Sequence, residues 1–440
     1  MKPAYAFLCL LLSLSALLGQ AQAQELYRSS LSSSAQAMGG ASIANSAGPL
    51  DAMSGNPAGL TLADERTIQA GAVGAWGRGK FTNQTNTNGR LDPFVGLAPF
   101  GAFAMPLRRD RWYAGAAITP DTSMSATWHY YDSPGAGGAD YGYQKNHSSL
   151  VNVRYAAGLA YAFSPRLSMG ATAGIVYNAN TLTAPFIFQS QPVLAGLKTL
   201  LDMHTTGTGW NGSFGALYAP CASLRFGASY KTRTVTHTSG YALGNLSAQL
   251  AALGISGFQQ TFHYKAKVDN TLPDVMSLGL FAPLVRHATL SLESDFVHWR
   301  PAFRQLVVRL SGGSDNDLNK LVGSSSLEDV IPLHWRNQEF YRAGISLPVT
   351  ESANLRGGYA FSNDPVPSST LVPLTAAITK QFVTAGLDYH HRRFGAAMAY
   401  EAGLPQTERV GTSQLLSGEY SNSRVDLFLQ SLSLTTSLNF

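Results

Sequence analysis

The chain has 440 residues, 13% of them charged and 45% hydrophobic, with a formal net charge of +5. So small a basic excess, with no basic cluster, excludes a charge-built nucleic-acid surface. Of the two cysteines only Cys221 lies beyond the N-terminal leader, so the mature chain has neither an internal disulfide nor a zinc-ligand spacing.

In chain order, residues 1–23 read as a secretory signal. Lys2 supplies the basic end, Tyr5 to Leu18 is uncharged and apolar, and Ala21-Gln22-Ala23 is a small-x-small cleavage site. That apolar run is short for a membrane helix, and no later segment reaches the roughly 18 consecutive apolar residues a span requires. An exported chain with few charges, 43 Gly, 19 Tyr and 21 Phe therefore points to an all-β transmembrane barrel. Residues 24–66 do not alternate as strands do. They are rich in Ser, Ala and Gly and include Ala37-Met38-Gly39-Gly40-Ala41 and Asn56-Pro57-Ala58. Such a segment is either a disordered leader or a plug packed inside a polar lumen.

From residue 67 to 440, segments of about ten residues alternate apolar with small or polar positions. They predict a 14-stranded antiparallel barrel, with strands near 67–80, 98–106, 111–119, 149–163, 167–179, 209–219, 223–233, 272–282, 287–299, 339–348, 354–362, 381–390, 393–402 and 425–440. Connections alternate between short turns and long loops, as periplasmic and external connections of such barrels do. The last strand is clearest: Leu432, Leu434, Leu438 and Phe440 share one parity, Ser431, Ser433, Thr435 and Ser437 the other.

Parity also turns Arg154, Arg342 and Arg356 inward, with Lys231, Glu293 and Asp295. A charge on the lipid face costs about 2–4 kcal/mol at the midplane, so the lumen is the expected side. An inward arginine can hold a carboxylate ligand through paired hydrogen bonds, or brace the lumen as part of an ion-pair network. Two predicted external loops are apolar where water-facing loops should be polar. The first carries Phe186, Phe188, Leu194, Leu197 and Leu201, the second Leu246, Leu250 and Phe258. Helical spacing over 193–203 and 243–253 predicts two amphipathic helices, either lining a ligand-capture groove or packing together as a lid.

The stretch Met38-Gly39-Gly40-Ala41 followed by Asn56-Pro57-Ala58, Leu272-Pro273-Asp274 before a strand, Phe340-Tyr341-Arg342-Ala343-Gly344, Leu355-Arg356-Gly357-Gly358-Tyr359 and Asp364-Pro365-Val366-Pro367 occur in an order that resembles the FadL family of outer-membrane transporters. The resemblance implies a fourteen-stranded barrel with residues 24–66 as a lumen hatch, Asn56, Pro57 and Ala58 lying within it. It also implies a monomer that takes hydrophobic ligands, fatty acids or hydrocarbons, from external loops into the lumen. A kinked third strand then releases them sideways into outer-membrane lipid. Here Thr119 and Pro120 stand at the expected kink. Leu374-Thr375-Ala376-Ala377-Ile378 replaces charged residues the family has after Pro-Val-Pro.

The function expected is passive uptake of long-chain fatty acids across a Gram-negative outer membrane. The rivals are uptake of aromatic or alkane hydrocarbons, a lipid hydrolase, and an adhesive barrel. No spacing signals catalysis or a metal, and no cofactor or nucleic-acid partner is expected.

Overall fold

The computed structural model describes residues 30–107, 111–221 and 223–440. The predicted signal segment and the start of the predicted hatch, residues 1–29, lie outside them.

Fourteen strands form the wall: β1 (Thr67–Thr82), β2 (Phe94–Pro106), β3 (Trp112–Pro120), β4 (Tyr143–Ser164), β5 (Leu167–Ile187), β6 (Lys198–Cys221), β7 (Leu224–Lys231), β8 (Val275–Pro283), β9 (Thr289–Val297), β10 (Gln338–Pro348), β11 (Ala353–Ser362), β12 (Gln381–His391), β13 (Phe394–Gly403) and β14 (Ser423–Asn439). Each pairs antiparallel with the next. β14 returns to β1 from Thr67↔Asn439 to Thr82↔Arg424, which closes the ring. On β14, Ser431, Ser433 and Thr435 are buried, while Leu434 and Leu438 are 52% and 48% exposed. Phe163, Tyr218, Tyr389 and Phe440 stand exposed beside the short turns, as interface aromatics should.

The long external loops differ from expectation. β5 and β6 stay paired from Leu167↔Tyr218 to Ile187↔Lys198, so most of the helix predicted over 193–203 is strand or its turn. Burial alternates there, with Leu201, Met203 and Thr205 inside. The decisive period is two, because the hairpin partner supplies the backbone hydrogen bonds. Of the second predicted helix only α3, Ser247–Ala252, exists, following α1 (Ser33–Gln36) and α2 (Pro49–Ser54) of the hatch; Leu243 lies in a strand, Thr234–Asn245. This strand resumes β7 after a short break and pairs with the outer half of β6 and with Thr261–Leu272. A further hairpin, Gln305–Ser311 with Ser326–Pro332, extends the same sheet.

Inside the ring lie α1 (Ser33–Gln36), α2 (Pro49–Ser54) and a 3₁₀ turn, Pro57–Leu62. Ser32 caps α1, its side chain accepting from the Ala35 N–H. Buried Asp51 gathers the segment, accepting from the N–H groups of Leu31, Ser32 and Ala47 and from the Ser32 hydroxyl. Wall residues around the barrel then satisfy the hatch backbone. Ser33 N–H donates to Thr435 Oγ1 at 3.0 Å, Gly39 N–H to Thr384 Oγ1 at 2.9 Å, and Leu50 N–H to Gln69 Oε1 at 3.0 Å. Glu293 accepts from Ser42 and Ile43 at 2.7 and 2.9 Å, and Asn56 donates to Ala216 O at 3.0 Å. Gly39 has φ +70°, and a Cβ on Gly358 would come within 2.2 Å of the Gly39 nitrogen, so backbone meets backbone there.

Candidate ligand path

The eight apolar loop residues picked out by sequence meet in one external cap. Phe188, Leu194, Leu201, Leu246 and Leu250 are buried in it, and Phe186, Leu197 and Phe258 pack at its edge. The extra hairpin completes it with Val308, Leu310 and Leu327, and α5 (Asn316–Val322, following α4, Trp299–Ala302) adds Leu318. Asp329 docks that hairpin, its carboxylate accepting from the backbone N–H groups of Gln189, Ser190 and Gln191. These last contributions were missed, because one carboxylate facing three N–H groups has no sequence period.

A charged knot ties the cap to the mouth. Lys198 is fully buried and its ammonium sits 2.8 Å from Asp132 and 3.0 Å from Glu419, which joins three external connections. Burial pushes the carboxyls of Asp132 and Glu419 up, against the pull of Lys198.

Below the mouth an apolar cluster fills the upper lumen. Trp128, Trp299, Trp335 and Phe340 are almost fully buried, with Phe81, Tyr130 and Val425 around them. The Trp299 and Trp335 rings are 5.0 Å apart, and Trp299 Nε1 donates to Gln338 Oε1 at 3.0 Å. Loop 363–380 descends onto this cluster through Val366, Leu371, Leu374 and Ile378. The stretch that lacks the family's charges is thus packed against aromatic rings. Asp364 on the same loop is pushed by burial to about 6, with Lys380 opposing.

The three lumen arginines all reach the hatch. Arg154 donates to Met53 O at 3.1 Å, to Asn211 Oδ1 at 2.6 Å and to Thr172 Oγ1 at 2.7 Å. Arg342 donates to Gly39 O at 3.0 Å and to Asp295 at 2.9 Å. Arg356 pairs with Asp388 at 2.5 Å and reaches Ser34 O at 3.4 Å. Arg225, which sequence reading passed over, holds Asn45 Oδ1 at 2.9 Å.

The wall is incomplete at one place. β2 and β3 pair only from Gly101↔Ile118 down to Pro106↔Tyr113. Above that, Phe94–Phe100 pairs with β1 alone among the described residues. The third strand halts at Pro120 and resumes as Met124–Tyr131, which pairs with β4 and with Gly89–Leu91. Pro99 and Pro120 have no N–H to offer across the opening. Asn152 of β4 holds the broken segment, accepting from Asp121 N–H and donating to Thr122 O. Asp121 forms an ion pair with Lys231 across the lumen. On the inner side of the opening Met124 and Ala126 belong to the upper apolar cluster; on the outer side Phe94 and Leu97 are exposed.

Residues 12–398 match the family described as outer membrane protein transport protein (OMPP1/FadL/TodX). Comparison with curated proteins finds no sequence match. Among solved structures, the toluene transporter TodX of P. putida superposes with a TM-score of 0.75 at 16% identity, over 94% of this chain and 99% of its own. The Ralstonia pickettii toluene transporter TbuX gives 0.73 at 17%, over 94% and 99%, and a Pseudomonas aeruginosa FadL homologue 0.73 at 16%, over 93% and 98%. The chain belongs to the OMPP1/FadL/TodX family of passive outer-membrane channels for hydrophobic compounds, which are not enzymes.

Proposed function

We propose that this barrel takes up neutral hydrocarbons, alkyl or aromatic, by capture at the external cap, passage into the upper lumen and lateral exit beside Thr119 and Pro120. The engagement of Arg154, Arg342 and Arg356 with the hatch and its wall carries this reading. The sequence expectation put a fatty-acid carboxylate on one of them, and each of the three is already engaged by the hatch and by wall residues. A hydrocarbon needs no lumen cation, and it prefers the lipid beyond the gap to a wet pore. The toluene transporters among the structural relatives are consistent with this choice.

The test is uptake of toluene and of a long-chain fatty acid by the wild type and by Arg154→Gln, Arg342→Gln, Arg356→Gln and the triple variant. Breaking a buried pair costs about 3–5 kcal/mol, so hatch seating should loosen and ion leakage rise, with the ratio of the two uptakes unchanged. Selective loss of acid uptake, with toluene uptake kept, would return the fatty-acid reading.

The cap makes a separate prediction. Leu197→Ser and Phe258→Ser, at its edge, should weaken binding of a fluorescent hydrophobic probe roughly tenfold together, since each removes about 1.5–3 kcal/mol of apolar contact at full burial and less here. Leu250→Ser, deep inside, should instead destabilise the cap. Unchanged probe binding in the edge variants would remove the cap from the path.

A further inference from the structure

A cleft of about 720 Å³ opens on the external side between α4 and the segment before β10. Arg300, Arg304, His334 and Arg336 line it, and Trp335 forms part of its wall. The three arginines are exposed, and among the described residues no carboxylate pairs with them. Their backbones are fixed. Arg300 N–H donates to Asn337 Oδ1 at 3.0 Å, Arg336 N–H to Pro365 O, and Arg304 O accepts from Leu333 and His334. Trp299 and Trp335, their chain neighbours, point into the barrel. The arginines are exposed, and Trp335 stands between their cleft and the upper-lumen cluster.

A second, independent feature lies on the same strands. The outer face of β8, β9, β10 and β11 carries a groove of about 510 Å³. Leu278, Leu292, Tyr341, Tyr359 and Phe361 line it, all exposed on the lipid side. β9 runs from this groove toward α4, and Arg336 stands two residues before β10, so the cleft begins just past the external aromatic band. On that face Glu339 accepts from the Tyr341 hydroxyl at 2.9 Å, and Asp364 faces Lys380.

We propose that cleft and groove together form a binding site for a phosphorylated glycolipid of the outer leaflet. Its phosphates sit among Arg300, Arg304 and Arg336, and an acyl chain lies in the groove below. Guanidinium forks match phosphate oxygens in pairs, and basic pockets at the membrane boundary select anionic headgroups. An apolar groove continuous with the bilayer beneath a cationic cleft fits an amphiphile of this polarity better than a free ion.

The experiment measures binding of three probes by the purified full-length barrel in neutral detergent: lipid A with two phosphates, the same lipid dephosphorylated, and inorganic phosphate. The wild type should prefer the phosphorylated lipid at least about tenfold, as a few charge-assisted hydrogen bonds allow. The triple variant Arg300→Gln, Arg304→Gln, Arg336→Gln should bind both lipids alike, and the triple Lys variant should keep part of the preference. Leu278→Ser with Leu292→Ser should weaken both lipids. Heat-modifiable gel migration checks that each variant is folded. No preference in the wild type, or an undiminished preference in the Gln variant, overturns the proposal. Full displacement of the lipid by millimolar inorganic phosphate would make this a free-ion site, and displacement by a fatty acid a carboxylate port; either also overturns it.

Discussion

Deleting residues 30–60 is expected to leave a folded barrel whose single-channel conductance rises at least about tenfold, since a ring of this strand number holds an open lumen when nothing fills it. The wall does not depend on the hatch for its backbone bonds: each of the fourteen strands has both neighbours, and β14 meets β1 along sixteen residues of β1. The hatch, in contrast, depends on the wall. Its N–H groups find Thr435, Thr384, Glu293 and Gln69 on β14, β12, β9 and β1. Its removal strips partners from Arg154, Arg342 and Arg356 but leaves Asp295 and Asp388 beside the last two, so those lumen charges stay compensated. Planar-bilayer recording decides the matter. Conductance at the intact level would mean that another part of the chain, such as loop 363–380, seals the pore alone.

The second large effect concerns the opening beside Pro120. In a Cys221→Ser background, Phe100→Cys with Thr119→Cys places two thiols where the ladder of β2 and β3 would next have paired, one step beyond Gly101↔Ile118. Oxidation should abolish hydrophobic uptake and reduction should restore it, while ion conductance stays at the intact level in both states. The reduced form controls for the loss of the Phe100 ring. The proposed route would take an apolar ligand from the cluster at Met124 and Ala126 past exposed Phe94 and Leu97 into lipid, which it prefers to water. Full uptake by the oxidised barrel would rule out lateral exit here.

Strand positions could be read because a two-sided wall between lipid and lumen imposes a period of two on nearly every residue, as on β14 from Ser431 to Leu438. The inward charges followed from the same period. The cap was half legible. Its apolar residues stood out, but their spacing misled, because Leu194, Leu197 and Leu201 fit a helix as well as a hairpin tip when the partner strand is not in view. The chamber aromatics were harder still. Trp128 comes from the connection between β3 and β4, Trp299 and Trp335 from opposite ends of the long connection between β9 and β10, and only the closed ring brings them together. Arg225 and Asp329 act through contacts with residues distant in sequence, Asn45 for the first and the backbone of Gln189 to Gln191 for the second, which no local pattern announces.

The hatch has a consequence for how the molecule is assembled. Ser33 meets Ser433 and Thr435 across 400 and 402 positions of sequence, and Gly39 meets Thr384 across 345. Contacts of such separation carry a loop-closure cost that local pairing does not. The hairpins of the wall can form from neighbours, but Ser33 has no site until β14 is in place. The first described part of the chain to be synthesised is therefore among the last to complete its contacts.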